Sequence, residues 1–476
     1  MKIVGRKEEL QLMQSYLTDE NAHFLAMVGR RRVGKTFLIR EVYNENKVFE
    51  MTGLKDADLK TQLVNFSLQM NLHFPKNAPY AVAESWLLAF NQLSVALEKS
   101  STEKKRVVFF DELPWIAGRR SGFMEALAHW WNSWASQQNI IVVVCGSATS
   151  WMLERVVNAK GGLHNRITQT INLMPFTLAE TKEFLEEKNI EMTHYQIVQL
   201  YLTMGGIPHY LNNISKGKSA TQIIQETCFS KDGTLKNEFN NLYAALFENA
   251  SNHISIIRAL ASKASGMDRS EILNHSKLSD GGSFTNVLNE LEASGFISTF
   301  SPLENKKKDT LFRLTDEYSL FYLKFIEGKS TTDTDHWMRT SQSQEYRIWC
   351  GYAFENLCIK HVNNIKKALG ISGVSTSVNS FLHRQDETFG QGFQIDMLID
   401  RKDDVMNICE MKFYADKFTI NSNYAANLRT KKAGLRAVTS TKKMVLLTFI
   451  TSYGLFENAQ KSELVDNDFT IDVLFG

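Results

Sequence analysis

The sequence predicts an α/β protein built in three successive regions: a parallel-sheet domain, a small helical module ending in a hairpin, and a second, smaller α/β domain. Three observations carry this. Residues 1–215 alternate short β-branched runs with helical stretches, as a parallel sheet with crossover helices requires. From about residue 216 to 330 the strand signals nearly vanish. Residues 341–476 open with a long helix and continue as strands. A chain of 476 residues also exceeds what one core supports, since single cores rarely grow past about 250–300 residues.

Composition narrows the class. With 43% hydrophobic, 22% charged and 11% aromatic residues the chain is globular, clear of the polar, aromatic-poor profile of disorder. Lys and Arg number 54 against 52 Asp and Glu, a net charge of +2, so a polyanionic partner would have to be met by a local patch. The five cysteines (Cys145, Cys228, Cys350, Cys358, Cys409) form no CxxC pair, which argues against a zinc ribbon and a disulfide framework. The start MKIVGRKEEL lacks the apolar core of a signal peptide, and no apolar run approaches a membrane span of roughly 18 residues. The expectation is a soluble cytoplasmic protein with no membrane partner.

In the first region the strands are Ala22–Val28, Val107–Phe110 and Ile140–Cys145. Directly after the first comes Gly29-Arg-Arg-Arg32-Val33-Gly34-Lys35-Thr36, and then the helical run Phe37–Val42. That is G-x-x-x-x-G-K-[ST] in the strand–loop–helix setting the phosphate-binding loop demands. Glycines let the backbone N–H groups from Gly29 through Arg32, Val33 and Gly34 turn inward on phosphates, and the helix N-terminus adds a favourable dipole. Lys35 would reach the β- and γ-phosphates, and the Thr36 hydroxyl would ligate Mg²⁺. The second strand ends in Asp111-Glu112. A carboxylate at the C-terminal edge of a buried strand suits a Mg²⁺ partner, here Asp111, and leaves Glu112 to polarise the attacking water. The third ends in Gly146-Ser147, where the Ser147 hydroxyl could sense the γ-phosphate between the other two.

The middle region reads as three amphipathic helices, near Ile254–Ser262, Arg269–Lys277 and Ser283–Ser294, then a hairpin of Phe296–Phe300 and Leu311–Leu314. This order resembles a winged helix. Its third helix carries Glu290 and Glu292 and no Lys or Arg, a poor match to a groove walled by phosphates, so an interdomain or regulatory role is favoured. Lys306, Lys307 and Lys308 would stand at the wing tip. The polar stretch Gly328–Asp335 marks the next boundary.

In the last region, the predicted helix Gln344–Lys367 places Glu355 in the middle of an apolar stripe of Ile348, Tyr352, Ile359 and Val362. A carboxylate facing a core is costly unless paired or bound to a cation. Two strands follow, Phe393–Asp400 and Val405–Tyr414; Asp396 opposes its apolar neighbours, and Glu410 and Lys412 share a face. Glu355, Asp396 and Glu410-Met-Lys412 together resemble the PD-(D/E)XK nuclease fold. There Asp396 and Glu410, assisted by Glu355, would hold Mg²⁺ or Mn²⁺, with Lys412 positioning the attacking water. The same residues also read as a buried ion cluster, Lys412 paired with Glu410 or Asp396, in a domain without activity. The motif's proline is absent; Ile395 precedes Asp396. From Lys417 to Phe456 there are seven Lys or Arg and no Asp or Glu, a run that would suit a phosphate backbone.

The segments Val4-Gly-Arg-Lys-Glu-Glu-Leu10, GRRRVGKT, FFDELPW, CGSATSWM and Thr203-Met-Gly-Gly206-Ile-Pro208 resemble the archaeal and bacterial ATPases of AAA+/STAND type. The resemblance implies a P-loop NTPase sheet with a helical lid over residues 1–215, a winged helix over 216–330 and a restriction-endonuclease-like α/β domain over 341–476. It further implies ATP with Mg²⁺ as the nucleotide, and Arg166 as a nucleotide-sensing arginine, in cis or from a neighbouring subunit of a homo-oligomer. The expected function is ATP binding and hydrolysis that governs a metal-dependent, DNA-interacting nuclease-like domain. The alternative is a nucleotide switch or scaffold whose last domain is inactive and binds nucleic acid or a partner protein.

Overall fold

The computed structural model describes residues 2–100, 104–118, 120–159, 162–247, 249–300, 310–329, 335–387 and 389–476. Lys306–Lys308 and residues 330–334 of the polar boundary lie outside them. The chain divides into two compact units, Met1–Pro175 and Phe176–Gly476.

The first unit is built on a parallel sheet of β1 (His23–Val28), β2 (Lys47–Thr52), β3 (Arg106–Asp111), β4 (Ile140–Cys145) and β5 (Gln169–Asn172), ordered β2-β3-β4-β1-β5. All neighbouring strands run parallel. The three central strands are buried at every position, whereas β2 and β5, at the edges, are only partly buried. This is the expected signature of a sheet covered on both faces, whose inner strands read as continuous apolar runs. An aromatic-rich core that includes Phe49, Phe66, Trp86, Phe90, Phe110, Phe123 and Trp130 packs helices Leu59–His73, Trp86–Lys99 and Phe123–Ser133 with the sheet. Edge-to-face ring pairs such as Trp86–Phe123, 4.8 Å apart at 89°, add geometry to the area buried there.

The second unit begins with helices Leu178–Glu187 and His194–Met204. Further along come helices Ala250–Ala261, Arg269–Ser276 and Gly282–Ala293, followed by an antiparallel pair, β6 (Ile297–Phe300) and β7 (Leu311–Leu314). Its larger sheet is ordered β12-β11-β10-β9-β8. The strands β8 (Thr376–His383), β9 (Phe393–Arg401) and β10 (Val405–Lys412) are antiparallel; β11 (Met444–Thr451) and β12 (Asn467–Thr470) run parallel to β10. The change of direction follows from the helix Ser422–Thr439, since a parallel neighbour to β10 needs a crossover of that length. Ile395, Ile408, Leu428, Leu435, Leu447 and Phe449 form its core.

The long helix of this unit corrects the sequence expectation. It runs Gln344–Lys360, and a second helix, Val362–Ala368, follows His361. Its buried stripe is Tyr346, Trp349, Cys350, Ala353, Phe354, Leu357 and Cys358, while Ile348 and Tyr352 are 53% and 51% exposed. The stripe offering three aromatic rings, Tyr346, Trp349 and Phe354, won the core because it removes more apolar area from water. Glu355 therefore lies at the margin of the buried face.

Among the described residues no helix is long and apolar enough to cross a membrane. All five cysteines are buried free thiols.

Candidate functional site

Gly29 leaves β1 with φ 135°, and a Cβ there would meet the Leu173 carbonyl oxygen at 2.4 Å, so only glycine fits this turn. Arg32 takes φ 72° and Gly34 φ 95°, opening into the helix Lys35–Val42. Space around Gly34 is open, with nothing within 4 Å of a built Cβ. From outside the loop, Arg6 donates to the Val33 carbonyl at 3.3 Å and braces its outer turn. Lys35 is buried, and its ammonium donates to the Gly29 and Arg30 carbonyls at 2.6 and 2.9 Å. The lysine is thus folded onto its own loop, beside the inward-turned backbone that would receive phosphate oxygens.

The strand order delivers the partners. Because β4 lies between β1 and β3, the C-terminal ends of all three meet at one edge. Thr36 Oγ1 donates to Asp111 Oδ2 at 2.9 Å, and Asp111 Oδ1 accepts from the Glu112 N–H at 2.9 Å. Glu112 adopts φ 47°, an uncommon conformation for a side-chain-bearing residue, which turns its carboxylate back along the sheet edge. There it accepts from Ser147 Oγ at 3.0 Å and Ser147 N at 3.3 Å. Gly29, Gly34, Lys35, Thr36, Asp111, Glu112 and Ser147 are therefore one constellation. The paired oxygens of Thr36 and Asp111 fit a hard cation, and the open loop fits a triphosphate. Arg166 stands apart: it is exposed on a turn ahead of β5, and among the described residues its side chain makes no hydrogen bond or ion pair with the loop.

The Thr203-Met-Gly-Gly206-Ile-Pro208 segment has a steric reason for its glycines. Gly205 caps the helix His194–Met204 with φ 63°, and a Cβ on Gly206 would fall 1.9 Å from the Phe176 carbonyl oxygen. Phe176 N donates to Gly206 O at 2.6 Å, and Phe176 O accepts from Tyr201 at 2.7 Å. Gly206 is the residue that lets this backbone pair close.

In the second unit, the register of β9 and β10, with Cys409 opposite Met397, sets Asp396 and Glu410 at neighbouring positions. Glu410 is 3% exposed and fully engaged: it accepts from Tyr424 at 2.5 Å, pairs with Lys431 and lies 3.8 Å from Lys412. Burial and the adjacent Glu410 charge push the Tyr424 hydroxyl well above its usual range, which keeps it a donor. Asp396 accepts from Gln394 at 2.7 Å. Burial, with the Asp396 charge adding to it, raises the Glu355 carboxyl to about 8, against the pull of Lys412 and Arg313. Glu355, Asp396, Glu410 and Lys412 thus share one electrostatic environment. Yet among the described residues no group of three or more His, Cys, Asp or Glu is gathered to hold a metal ion. As arranged, these carboxylates do not fit a divalent cation, because protein cations already compensate them. Tyr424, Lys431 and Arg313 are participants that sequence reasoning missed; only Lys431 carried a signal, as part of the basic run.

That run is itself corrected. Lys431 pairs with Glu410, Lys443 with Asp400 at 2.5 Å, Arg429 with Glu463 at 2.7 Å and Lys432 with Asp466 at 3.6 Å. Charge segregated along the chain is largely neutralised in space.

Residues 3–214 match the family described as an ATPase domain predominantly from Archaea. An uncharacterised protein of Methanocaldococcus jannaschii is 22% identical over 390 residues, 81% of this chain and 82% of that one. An uncharacterised ATP-binding protein of the same organism is 40% identical over 45 residues, 10% of this chain and 76% of its own length. Among solved structures, the Walker-type ATPase of Pyrococcus abyssi is similar with a TM-score of 0.49 and 18% identity, over 68% of this chain and 96% of that one. Residues 3–214 are thus similar to this family of ATPase domains, in keeping with the glycine loop and parallel sheet of the first unit.

Proposed function

We propose that the protein binds and hydrolyses ATP in the AAA+/STAND manner, and that its nucleotide state governs a C-terminal nuclease-like domain that interacts with DNA. The observation that carries the first half is the Thr36–Asp111 hydrogen bond beside the glycine loop, with Glu112 at the same sheet edge. Lys35 would leave the Gly29 and Arg30 carbonyls for the β- and γ-phosphate oxygens, a stronger charge-assisted partner. Mg²⁺ accompanying the nucleotide would be held by Thr36 and Asp111 and would neutralise triphosphate charge. Glu112, once released by Ser147, would orient the attacking water, and the freed Ser147 hydroxyl would face the γ-phosphate. Arg166, on its exposed turn, would sense that phosphate in cis or from a neighbouring subunit of a homo-oligomer.

The test is ATP binding and hydrolysis by the full chain compared with Lys35→Ala and Glu112→Gln. Lys35→Ala should lose nucleotide binding, and Glu112→Gln should keep binding but lose at least 100-fold in turnover. Wild-type turnover in both variants would sink the reading.

For the last region, the helix–strand–strand placement of Glu355, Asp396, Glu410 and Lys412 supports a nuclease-like assignment, with the preceding helices and hairpin as a winged-helix module that regulates it. The engagement of Glu410 by Tyr424 and Lys431 favours the second reading, a switch whose last domain binds nucleic acid or a protein without cutting. Cleavage of plasmid DNA by the full chain with ATP and Mn²⁺, abolished by Asp396→Ala, would decide for the nuclease; equal inertness of both proteins would decide for the switch.

A further inference from the structure

The similarity to the ATPase-domain family extends to residue 214, whereas the first compact unit closes at Pro175. Residues 176–214 therefore fold within the second unit, and contacts from far along the chain hold their helices there. Tyr195 lies parallel to Phe413, with ring centres 4.6 Å apart at 3°, and stacks on Tyr453 at 5.4 Å. Just before it, His194 stacks on Phe475 at 3.9 Å and pairs with Asp472 at 2.5 Å. Leu178 N donates to His361 Nε2 at 3.2 Å, and Tyr201 meets that imidazole edge-to-face at 5.8 Å. All of these partners lie between residues 361 and 475.

Phe413 directly follows β10, next to Lys412, and also packs on Phe354 at 5.4 Å, the neighbour of Glu355. Tyr453 stands two residues beyond β11. Tyr195 thus rests against the end of the strand that carries Glu410 and Lys412. On the other side, the backbone of Phe176 is clasped by Gly206 and Tyr201, and only Met174 and Pro175 separate it from Leu173. The Leu173 carbonyl is the atom a Cβ on Gly29 would strike, and its N–H donates to Val28 O at 2.8 Å. Proline fixes its own φ and restricts the residue before it, so this link is short and stiff. A covalent path therefore runs from the flank of the glycine loop to the helix that carries Tyr195. Packed side chains and rigid segments of this kind carry coupling between distant sites.

We propose that Tyr195 is the coupling residue of this protein: through its stack on Phe413 and Tyr453, occupancy of the glycine loop is conveyed to the ends of β10 and β11. The proposal rests on the reading that nucleotide state governs the last region, and it names the contact that does so. Both stacking partners of Tyr195 lie in that region, so its ring is committed to this contact rather than to the nucleotide. It also gives a reason for the family-like span to cross the unit boundary: its final helices are mounted on the part they would control.

The experiment is amide hydrogen exchange of the full chain, with and without a non-hydrolysable ATP analogue plus Mg²⁺, in wild type, Tyr195→Ala and Tyr195→Phe. In wild type the analogue should slow exchange by about threefold or more at the glycine loop, in the helix His194–Met204 and over residues 405–413 and 444–453. In Tyr195→Ala the change at the loop should persist while that over 405–413 and 444–453 is lost. Tyr195→Phe keeps the ring and should match wild type. A wild-type response at the loop with none in those strands overturns the proposal and leaves the nucleotide reading standing. An undiminished strand response in Tyr195→Ala also overturns it. No response at the loop in wild type overturns the nucleotide reading itself, and the proposal with it. Should Tyr195→Ala fail to fold by circular dichroism, Phe413→Leu decides by the same outcomes, because it removes the stacking partner and keeps an apolar side chain in its place.

Discussion

His361 makes the stability of the second unit depend on pH with a calculable sign and size. It is buried where the helix Gln344–Lys360 ends, accepts at Nε2 from Leu178 N at 3.2 Å and bonds at Nδ1 to Leu357 O at 3.0 Å. Leu178 opens the helix Leu178–Glu187, whose first N–H groups lack intrahelical partners, so the ring satisfies one of them. Accepting at Nε2 requires the neutral ring carrying its proton on Nδ1. Burial, which outweighs the other influences, lowers its pKa from 6.5 to about 4. Above pH 6.5 the ring is neutral whether the chain is folded or not, and the contact contributes in full. As pH falls through the window from 6.5 to 4, the unfolded chain takes up a proton that the folded chain refuses, and stability is lost. Linkage puts the loss at about 2 kcal/mol by pH 5 and about 3 kcal/mol below pH 4. The assay is urea unfolding followed by tryptophan fluorescence at pH 7.5 and pH 5, comparing wild type with His361→Gln. The variant cannot titrate, so the difference between the two proteins should shrink at pH 5 by about 2 kcal/mol. Parallel pH dependence in both proteins would refute the neutral, buried ring.

Three further outcomes follow from contacts elsewhere. Gly206→Ala places a Cβ 1.9 Å from the Phe176 carbonyl oxygen and should cost roughly 3 kcal/mol or more, seen as a lowered Tm; an unchanged Tm would mean that this backbone pair is not close in solution. Tyr424→Phe removes a donor from buried Glu410 and should destabilise by about 1–3 kcal/mol in thermal denaturation, whereas a loss below about 0.5 kcal/mol would argue against that hydrogen bond. Ser147→Ala frees the Glu112 carboxylate and should leave ATP affinity within about threefold of wild type while changing turnover at least tenfold. Equal turnover would remove Ser147 from the constellation.

Local spacing made the candidate nucleotide site legible. A phosphate loop is eight contiguous residues following a strand, so its chemistry is written along the chain, and Asp111-Glu112 announces itself at the end of a fully apolar run. The strands around 22–28, 107–110 and 140–145 were readable for a related reason. They occupy the sheet's interior and are buried on both faces, which forces continuous apolar sequence. The edge strands Lys47–Thr52 and Gln169–Asn172 keep polar residues because one side of each is open, and periodicity did not reveal them.

Other decisions were made only when distant segments met. Two helical stripes of similar apolarity competed on Gln344–Lys360, and packing chose the one with Trp349 and Phe354 over the one with Ile348 and Tyr352. The basic run after Lys417 looked unopposed in sequence, yet acids at positions 400, 410, 463 and 466 fold back onto it. Arg313 lies more than forty residues from Glu355 and more than eighty from Asp396, and no local pattern links them. Coulomb interactions depend on separation in space, and separation along the chain carries almost no information about it. The sequence therefore marked the residues suited to phosphate at the amino-terminal loop, while the tertiary structure alone decided which charges in the last region are paired with one another.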